Sequence, residues 1–268
     1  HLLGISGGKD SAALAMYMRT KYPNLKMEYY FCDTGKEMKE TYALIDELQS
    51  FLGQKIIMLK AAKNSHKDPF DHFVNKYDGF LPAANSRWCT KNLKLEPFED
   101  FVGTDAAISY VAIRGDENRE GYISTKPNIQ TIFPFRQNIW SIEILSRVLD
   151  NEQITKIAEI YPKYAEKVKL DNILEILIEP KSAKFPFSKK LNSLLNLGTK
   201  EFNHVVFEFL KSTDYPLSKC EYFPLLDNEE TLVKEDIFRL FRENGVTVPQ
   251  YYKEIEFEVD GQKGTYAR

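Results

Sequence analysis

The chain has 268 residues, 43% hydrophobic and 28% charged, with a formal net charge of −3. That length holds one large α/β domain, or one domain with an appendage, in an ordinary globular composition. No run approaches the ~18 consecutive apolar residues of a membrane helix, no secretion signal is evident, and the charge balance leaves no global basic footprint, so any contact with a nucleic acid must be local.

Three cysteines, Cys32, Cys89 and Cys220, stand at wide spacing with no Cys-x-x-Cys pair. They are expected to be reduced thiols of a cytoplasmic protein rather than a disulfide framework, and the four histidines show no zinc spacing. The chain opens at His1, almost inside its first strand, and is expected to be a piece of a slightly longer protein.

Leu2 to Ile5 is a short apolar run, and Ala12 to Met18 carries strong helix formers. Between them lies Ser6-Gly7-Gly8-Lys9-Asp10-Ser11. Strand, glycine loop and helix in that order gather backbone N–H groups at a helix N-terminus, where an anion is favoured. Gly7 and Gly8 allow close approach to a phosphate, Lys9 adds a cation, and Asp10 supplies a carboxylate to cap the helix or help hold Mg²⁺. The loop lacks the Gly-x-x-x-x-Gly-Lys-Ser/Thr spacing that serves γ-phosphate transfer.

Lys26 to Cys32 reads as a second strand ending at the turn Asp33-Thr34-Gly35, and Lys39 to Leu52 as a helix. Lys55 to Lys60 is a third strand, Pro69 to Tyr77 and Leu95 to Val102 are helices, and Ala106 to Ile113 is a fourth strand leading into a polar turn at Arg114. The alternation predicts an α/β fold, a Rossmann-like parallel sheet with helices on both faces. Ligands of such sheets sit at the carboxyl ends of the strands, and three polar clusters fall there: Ser6–Ser11, Asp33–Gly35 and Arg114–Arg119.

From about Ser141 to Lys211 helical segments take over: Ile142–Leu149, Glu152–Ile160, Asp171–Leu177, Lys189–Leu195 and Phe202–Leu210. A mainly helical insertion or C-terminal subdomain is expected, with the segments dividing as 1–139 and 140–268. Lys181, Lys184, Lys189 and Lys190 form a loose basic patch that suits a nucleic-acid backbone, although such a patch is more often a solvated surface. Lys234 to Asn244 reads as an amphipathic helix closed by Gly245.

The Ser-Gly-Gly-Lys-Asp-Ser block resembles the PP-loop of the ATP pyrophosphatases. Asp33 to Thr41, Asn85 to Lys94 and Ile113 to Arg119 resemble further segments of the phosphoadenosine-phosphosulfate (PAPS) reductase family, and the stretch from Pro224 to Tyr252 is similar to its tail. Ala112 stands where that family often has glycine. The resemblance implies an adenine nucleotide α-hydrolase-like fold and cleavage of ATP between its α- and β-phosphates with Mg²⁺. It implies catalytic roles for Lys9, Asp10, Arg114 and Arg119, and nucleotide contacts from Ser6 to Ser11, Asp33, Thr34, Gly35, Arg87, Lys91 and Lys94, with Asp10 as the Mg²⁺ ligand. Each has a plainer reading: Asp33-Thr34-Gly35 as a helix-starting turn, Arg114–Arg119 as a solvated run of mixed charge, Cys89 as a small apolar residue beside Trp88.

The reductases carry a redox cysteine near the C-terminus, which is absent here, and they lack a counterpart of residues 140–218. The arrangement is more similar to the ATP pyrophosphatases of bacterial DNA phosphorothioation systems, the Dnd and Ssp types. That resemblance implies a cysteine desulfurase, other DNA-modification proteins and DNA as partners, and self-association through the aromatic-rich helical block. Gly264 to Arg268 resembles the run-up to a cysteine-containing stretch, so any iron–sulfur cluster would belong to the parent protein beyond Arg268. PAPS or adenylyl-sulfate reduction and a non-catalytic nucleotide-binding scaffold are the alternative readings. tRNA thiolation is disfavoured, because such enzymes usually show Cys-x-x-Cys pairs.

Overall fold

A computed structural model of the chain describes residues 1–121, 123–252, 255–259 and 262–266. Strands β1 (Leu2–Gly4), β2 (Glu28–Cys32), β3 (Ile56–Leu59), β4 (Ala107–Tyr110) and β5 (Ile129–Ile132) form one sheet in the order β3-β2-β1-β4-β5. β2 pairs parallel with β3 and β4 pairs parallel with β5. No helix among the described residues is long and apolar enough to cross a membrane. The chain groups into two compact units, Leu3–Gly103 with Lys234–Arg268, and His1–Leu2 with Thr104–Val233. These are drawn at different residues from the expected segment boundary after 139.

In the first unit, helix α1 (Lys9–Lys21) follows the glycine loop, and every residue from Ser11 to Met18 is buried. Three alanines in that stretch let neighbours pack closely on several sides, which is why the helix is apolar almost all round rather than along one stripe. It packs against α2 (Lys39–Leu52) and the late helix α11 (Lys234–Asn244), whose Ile237, Leu240 and Phe241 are buried. α2 spans the predicted residues and ends on Gly53 in the left-handed conformation at φ +68°. Helix α3 (Pro69–Lys76) opens on a proline at its first position.

The segment after α3 departs from expectation. Trp88–Thr90 forms a single turn (α4) that runs into a π-helix at Lys91–Leu95 before α5 (Glu96–Val102). The apolar periodicity gave no sign of it, because a π turn shifts the face presented by one residue. Strands β6 (Ile255–Val259) and β7 (Gln262–Tyr266) pair antiparallel. Of the expected run-up to a cysteine stretch, residues 267 and 268 lie outside the described residues.

In the second unit, β4 and β5 are buried along their whole length. β5 escaped the sequence reading because Gln130 and Thr131 interrupt its apolar pattern. Both are buried, and Gln130 Oε1 accepts the Leu217 N–H at 2.9 Å. The helical block consists of α6 (Ile142–Val148), α7 (Ile154–Ile160), α8 (Lys167–Ile178), α9 (Phe187–Leu197) and α10 (Thr199–Leu210). α10 buries Phe202, Val205, Val206, Phe209 and Leu210. Lys190 does not join the expected basic patch. It is fully buried, and its Nζ donates to the Leu177 and Glu179 carbonyls, both at 2.7 Å. Those carbonyls end α8, where the helix dipole and unpaired acceptors favour a cation.

Candidate functional site: the glycine loop and its supports

The loop between β1 and α1 is held by its own small side chains. Ser11 Oγ accepts the Ser6 N–H at 3.0 Å and donates to the Gly8 carbonyl at 3.1 Å, and Ser6 Oγ accepts the Gly8 N–H at 3.3 Å. Gly7 sits at φ +74°, and a Cβ there would run into Thr41 Cγ2 of α2. Glycine is therefore required at this position twice over, by conformation and by space. Gly8 is the N-cap residue of α1 and has no side chain to cap the helix. Asp10 pairs with Lys9 Nζ at 2.8 Å. Lys9 itself is buried, with only 8% of its surface exposed.

The turn after β2 is built around Asp33. Its Oδ1 accepts the Gly35 N–H at 2.9 Å and the Tyr42 hydroxyl at 2.8 Å, and its Oδ2 pairs with Lys60 Nζ at 3.0 Å. Burial pushes this carboxyl up, but the Gly35 amide, the Tyr42 hydroxyl and the Lys60 ammonium together hold it below the ordinary carboxylate range. Tyr42 is pushed up to about 12, by burial first and by its bond to Asp33 second. Thr34 Oγ1 donates to Glu37 at 2.7 Å, and Gly35 takes φ +76° against Asp68. The turn is tied to α2 through Tyr42, while the N-cap of that helix is Met38, with no side-chain cap bond.

These two clusters meet through α2. Adjacent residues of its first turn serve both, Thr41 against Gly7 and Tyr42 against Asp33. The third cationic segment reaches the same strand end through its backbone, because Cys32 Sγ lies 3.4 Å from the Lys94 carbonyl that caps its S–H. Arg87, Lys91 and Lys94 are all exposed, on the turn and π-helix anchored by buried Trp88 and Leu93. Cys32 is a core thiol, pushed up to about 12 by burial. Cys89 packs partly buried against the cluster containing Trp88 and Phe73.

Residues beyond the predicted set complete the loop. The segment Thr247–Tyr252 is tied along α2, with Thr247 N–H to Glu47 at 3.0 Å and Gln250 N–H to Glu40 at 3.1 Å. It delivers Tyr251, whose hydroxyl donates to the Gly7 carbonyl at 2.7 Å, and Tyr252, whose hydroxyl accepts the Lys9 N–H at 3.1 Å. The aromatic ring of Tyr252 lies 5.2 Å from Lys9 Nζ. The tail pattern carried these tyrosines in sequence, yet nothing local to them signals contact with a loop more than 240 residues earlier. Lys60 had no signal at all.

Arg114 and Arg119 belong to the other compact unit. Arg114 pairs with Asp116 at 2.9 Å and Arg119 with Glu117 at 2.9 Å. Arg136, absent from the predicted set, donates to the carbonyls of Arg114, Glu117 and Arg119 and so gathers the turn around one guanidinium. Burial lowers its pKa from the usual arginine value.

A parallel sheet ordered 3-2-1-4-5, with a strand–glycine loop–helix unit at its first strand, defines a nucleotide-binding α/β protein of the adenine nucleotide α-hydrolase fold. The chain belongs to the phosphoadenosine phosphosulfate reductase domain family, whose profile matches residues 1–134. The family match supports a nucleotide-binding function of the PP-loop kind for residues 1–134. Over 153 residues it is 29% identical to an uncharacterized protein of Methanocaldococcus jannaschii, covering 52% of this chain and 30% of that protein. It is 23% identical over 130 residues to the tRNA-specific 2-thiouridylase MnmA of Actinobacillus pleuropneumoniae, and 22% over 121 residues to that of Aeromonas hydrophila. Each match covers under half of this chain and 32% of the thiouridylase, so the chain spans about a third of the curated relatives it matches.

Proposed function

We propose that this protein is an ATP pyrophosphatase that activates an acceptor oxygen for replacement by sulfur. The observation that carries the reading is the Ser6–Ser11 loop. It presents the N-terminus of a 13-residue helix buried from Ser11 to Met18, with Lys9 held beside it. Such a loop suits the departing pyrophosphate. An acceptor oxygen, or water, attacks the α-phosphorus, the bond from it to the α–β bridging oxygen breaks, and the charge left on pyrophosphate falls to the loop amides and the Lys9 ammonium. Mg²⁺ would neutralise phosphate oxygens. Asp10 is the loop carboxylate able to offer it one ligand, the rest coming from phosphate and water, as Mg²⁺ commonly accepts. Asp10 would first have to loosen its pair with Lys9.

Arg87, Lys91 and Lys94 are exposed cations matched to phosphate groups of ATP or of a nucleic-acid acceptor. Arg114 and Arg119 are assigned phosphate or acceptor contacts on the same family grounds. The finer reading is sulfur incorporation into the DNA backbone, with a cysteine desulfurase as sulfur source. A second reading, thiolation of tRNA, is favoured by the similarity to the tRNA 2-thiouridylases.

The test is a product assay with ATP labelled at the α-phosphate and Mg²⁺, run alone, with DNA and with tRNA. AMP and pyrophosphate are expected, and the polymer that stimulates their formation names the acceptor class. ADP and phosphate would refute α–β cleavage. Tight ATP binding with no product would favour a scaffold or a reductase acting on a preformed adenylyl substrate.

A further inference from the structure

The first N–H of a helix has no partner inside the helix. In α1 that donor is Lys9 N–H, and it is not left open: the Tyr252 hydroxyl accepts it at 3.1 Å. The same amide is the one a phosphate oxygen would take at a helix N-terminus. The hydroxyl also crowds the loop's other anion-facing residue, since a Cβ on Gly8 would come within 3.2 Å of it. The Tyr252 ring meanwhile lies 5.2 Å from the Lys9 ammonium, which pairs with Asp10 at 2.8 Å. One side chain thus touches both cationic features of the loop, its amide and its ammonium.

We infer that Tyr252 is a positioning residue of the phosphate site with two separable parts. The hydroxyl stands in for a phosphate oxygen on the Lys9 amide and gives that amide up when pyrophosphate arrives. The ring seats the Lys9 ammonium throughout, by attraction between the cation and the aromatic face. Besides the Tyr251 hydroxyl on the Gly7 carbonyl, the segment that carries Tyr252 is tied to Glu40 and Glu47 of α2, so the Tyr252 hydroxyl can leave the amide without the segment detaching. This inference rests on the proposed phosphate-binding role of the loop. It adds that phosphate binding exchanges one acceptor on the Lys9 amide, the Tyr252 hydroxyl, for another.

The experiment is calorimetric titration of the full chain with inorganic pyrophosphate in Mg²⁺ buffer, comparing wild type, Tyr252→Phe and Tyr252→Ala. Tyr252→Phe keeps the ring and removes the competing acceptor, so it should bind pyrophosphate roughly two- to tenfold more tightly than wild type. Tyr252→Ala also loses the seat of Lys9 and should bind more weakly than Tyr252→Phe. A merely structural tyrosine would not tighten binding when its hydroxyl is removed. Equal or weaker binding by Tyr252→Phe would overturn the exchange while leaving the loop a phosphate site. No binding by wild type or Tyr252→Phe would overturn the phosphate-site reading, and this inference with it.

Discussion

Two loops that carry candidate site residues are built in opposite ways. The Ser6–Ser11 loop takes its shape from backbone and small groups: a glycine at φ +74°, two serine hydroxyls, and a threonine methyl filling the space a side chain would need. The Arg114–Arg119 turn is shaped by charge: arginine–carboxylate pairs of Arg114 with Asp116 and Glu117 and of Arg119 with Glu117, and a guanidinium from Arg136 collecting three carbonyls. A loop fixed by conformation presents amides whose direction is set before a ligand comes. A loop fixed by ion pairs between partly exposed groups holds its cations more loosely, because each pair is screened by water and salt. The first suits a leaving group that needs a preorganised cradle. The second suits a contact that can rearrange.

The largest effect should come from the cation that the rigid loop holds. Lys9→Ala should lower AMP formation about 10²–10³-fold, comparable to loss of one strong transition-state donor, in the labelled-ATP assay. A melting temperature close to wild type would show that the loss is chemical.

The conformational claim is tested by Gly7→Ala, which should destabilise the fold by about 2–3 kcal/mol in chemical denaturation, combining the left-handed backbone with the Thr41 collision. Adding Thr41→Ser removes the offending methyl and should recover part of that loss. If the double variant is no better, the space argument fails and conformation alone accounts for the glycine.

Asp33→Asn should cost about 2–3 kcal/mol at neutral pH, since the Lys60, Tyr42 and Gly35 donors lose a charged acceptor. The folded carboxyl lies below its unfolded value of about 3.9. Ionised Asp33 therefore contributes stability above that pH, and the contribution fades as pH falls through the lower, folded value. The gap between Asn variant and wild type should narrow in acid, and a gap independent of pH would refute the charge argument.

The smallest effects belong to the charged turn. Arg136→Lys keeps a cation but loses the fork, and should speed amide hydrogen exchange at 114–119 with a stability change near 1 kcal/mol. Arg119→Ala, removing a side chain 61% exposed, should shift stability by less than about 0.5 kcal/mol. A large loss there would mean the two loops are not built on different principles after all.

The sequence by itself determined the strand–loop–helix unit with its Ser6–Ser11 turn and the full extent of α2 and α11. These follow from local rules: glycine where the backbone must turn left-handed, helix formers after it, apolar spacing along a face. Cys32, at the end of the second strand that the sequence predicted, lies in the core, where burial holds its thiol protonated. Only the tertiary structure decided what surrounds those residues. Asp33 proved to be the hub of a turn because Lys60 and Tyr42 arrive from other elements, and Lys9 proved buried because Tyr252 returns to it from the far end of the chain. Lys190 left the basic surface because two helix-end carbonyls needed a donor. β5 and the π-helix were hidden for the same reason: buried Gln130 and the shifted face of Lys91–Leu95 make sense only against their packing partners. Backbone conformation is written residue by residue, whereas the partner of a charge is set by which segments the fold brings together.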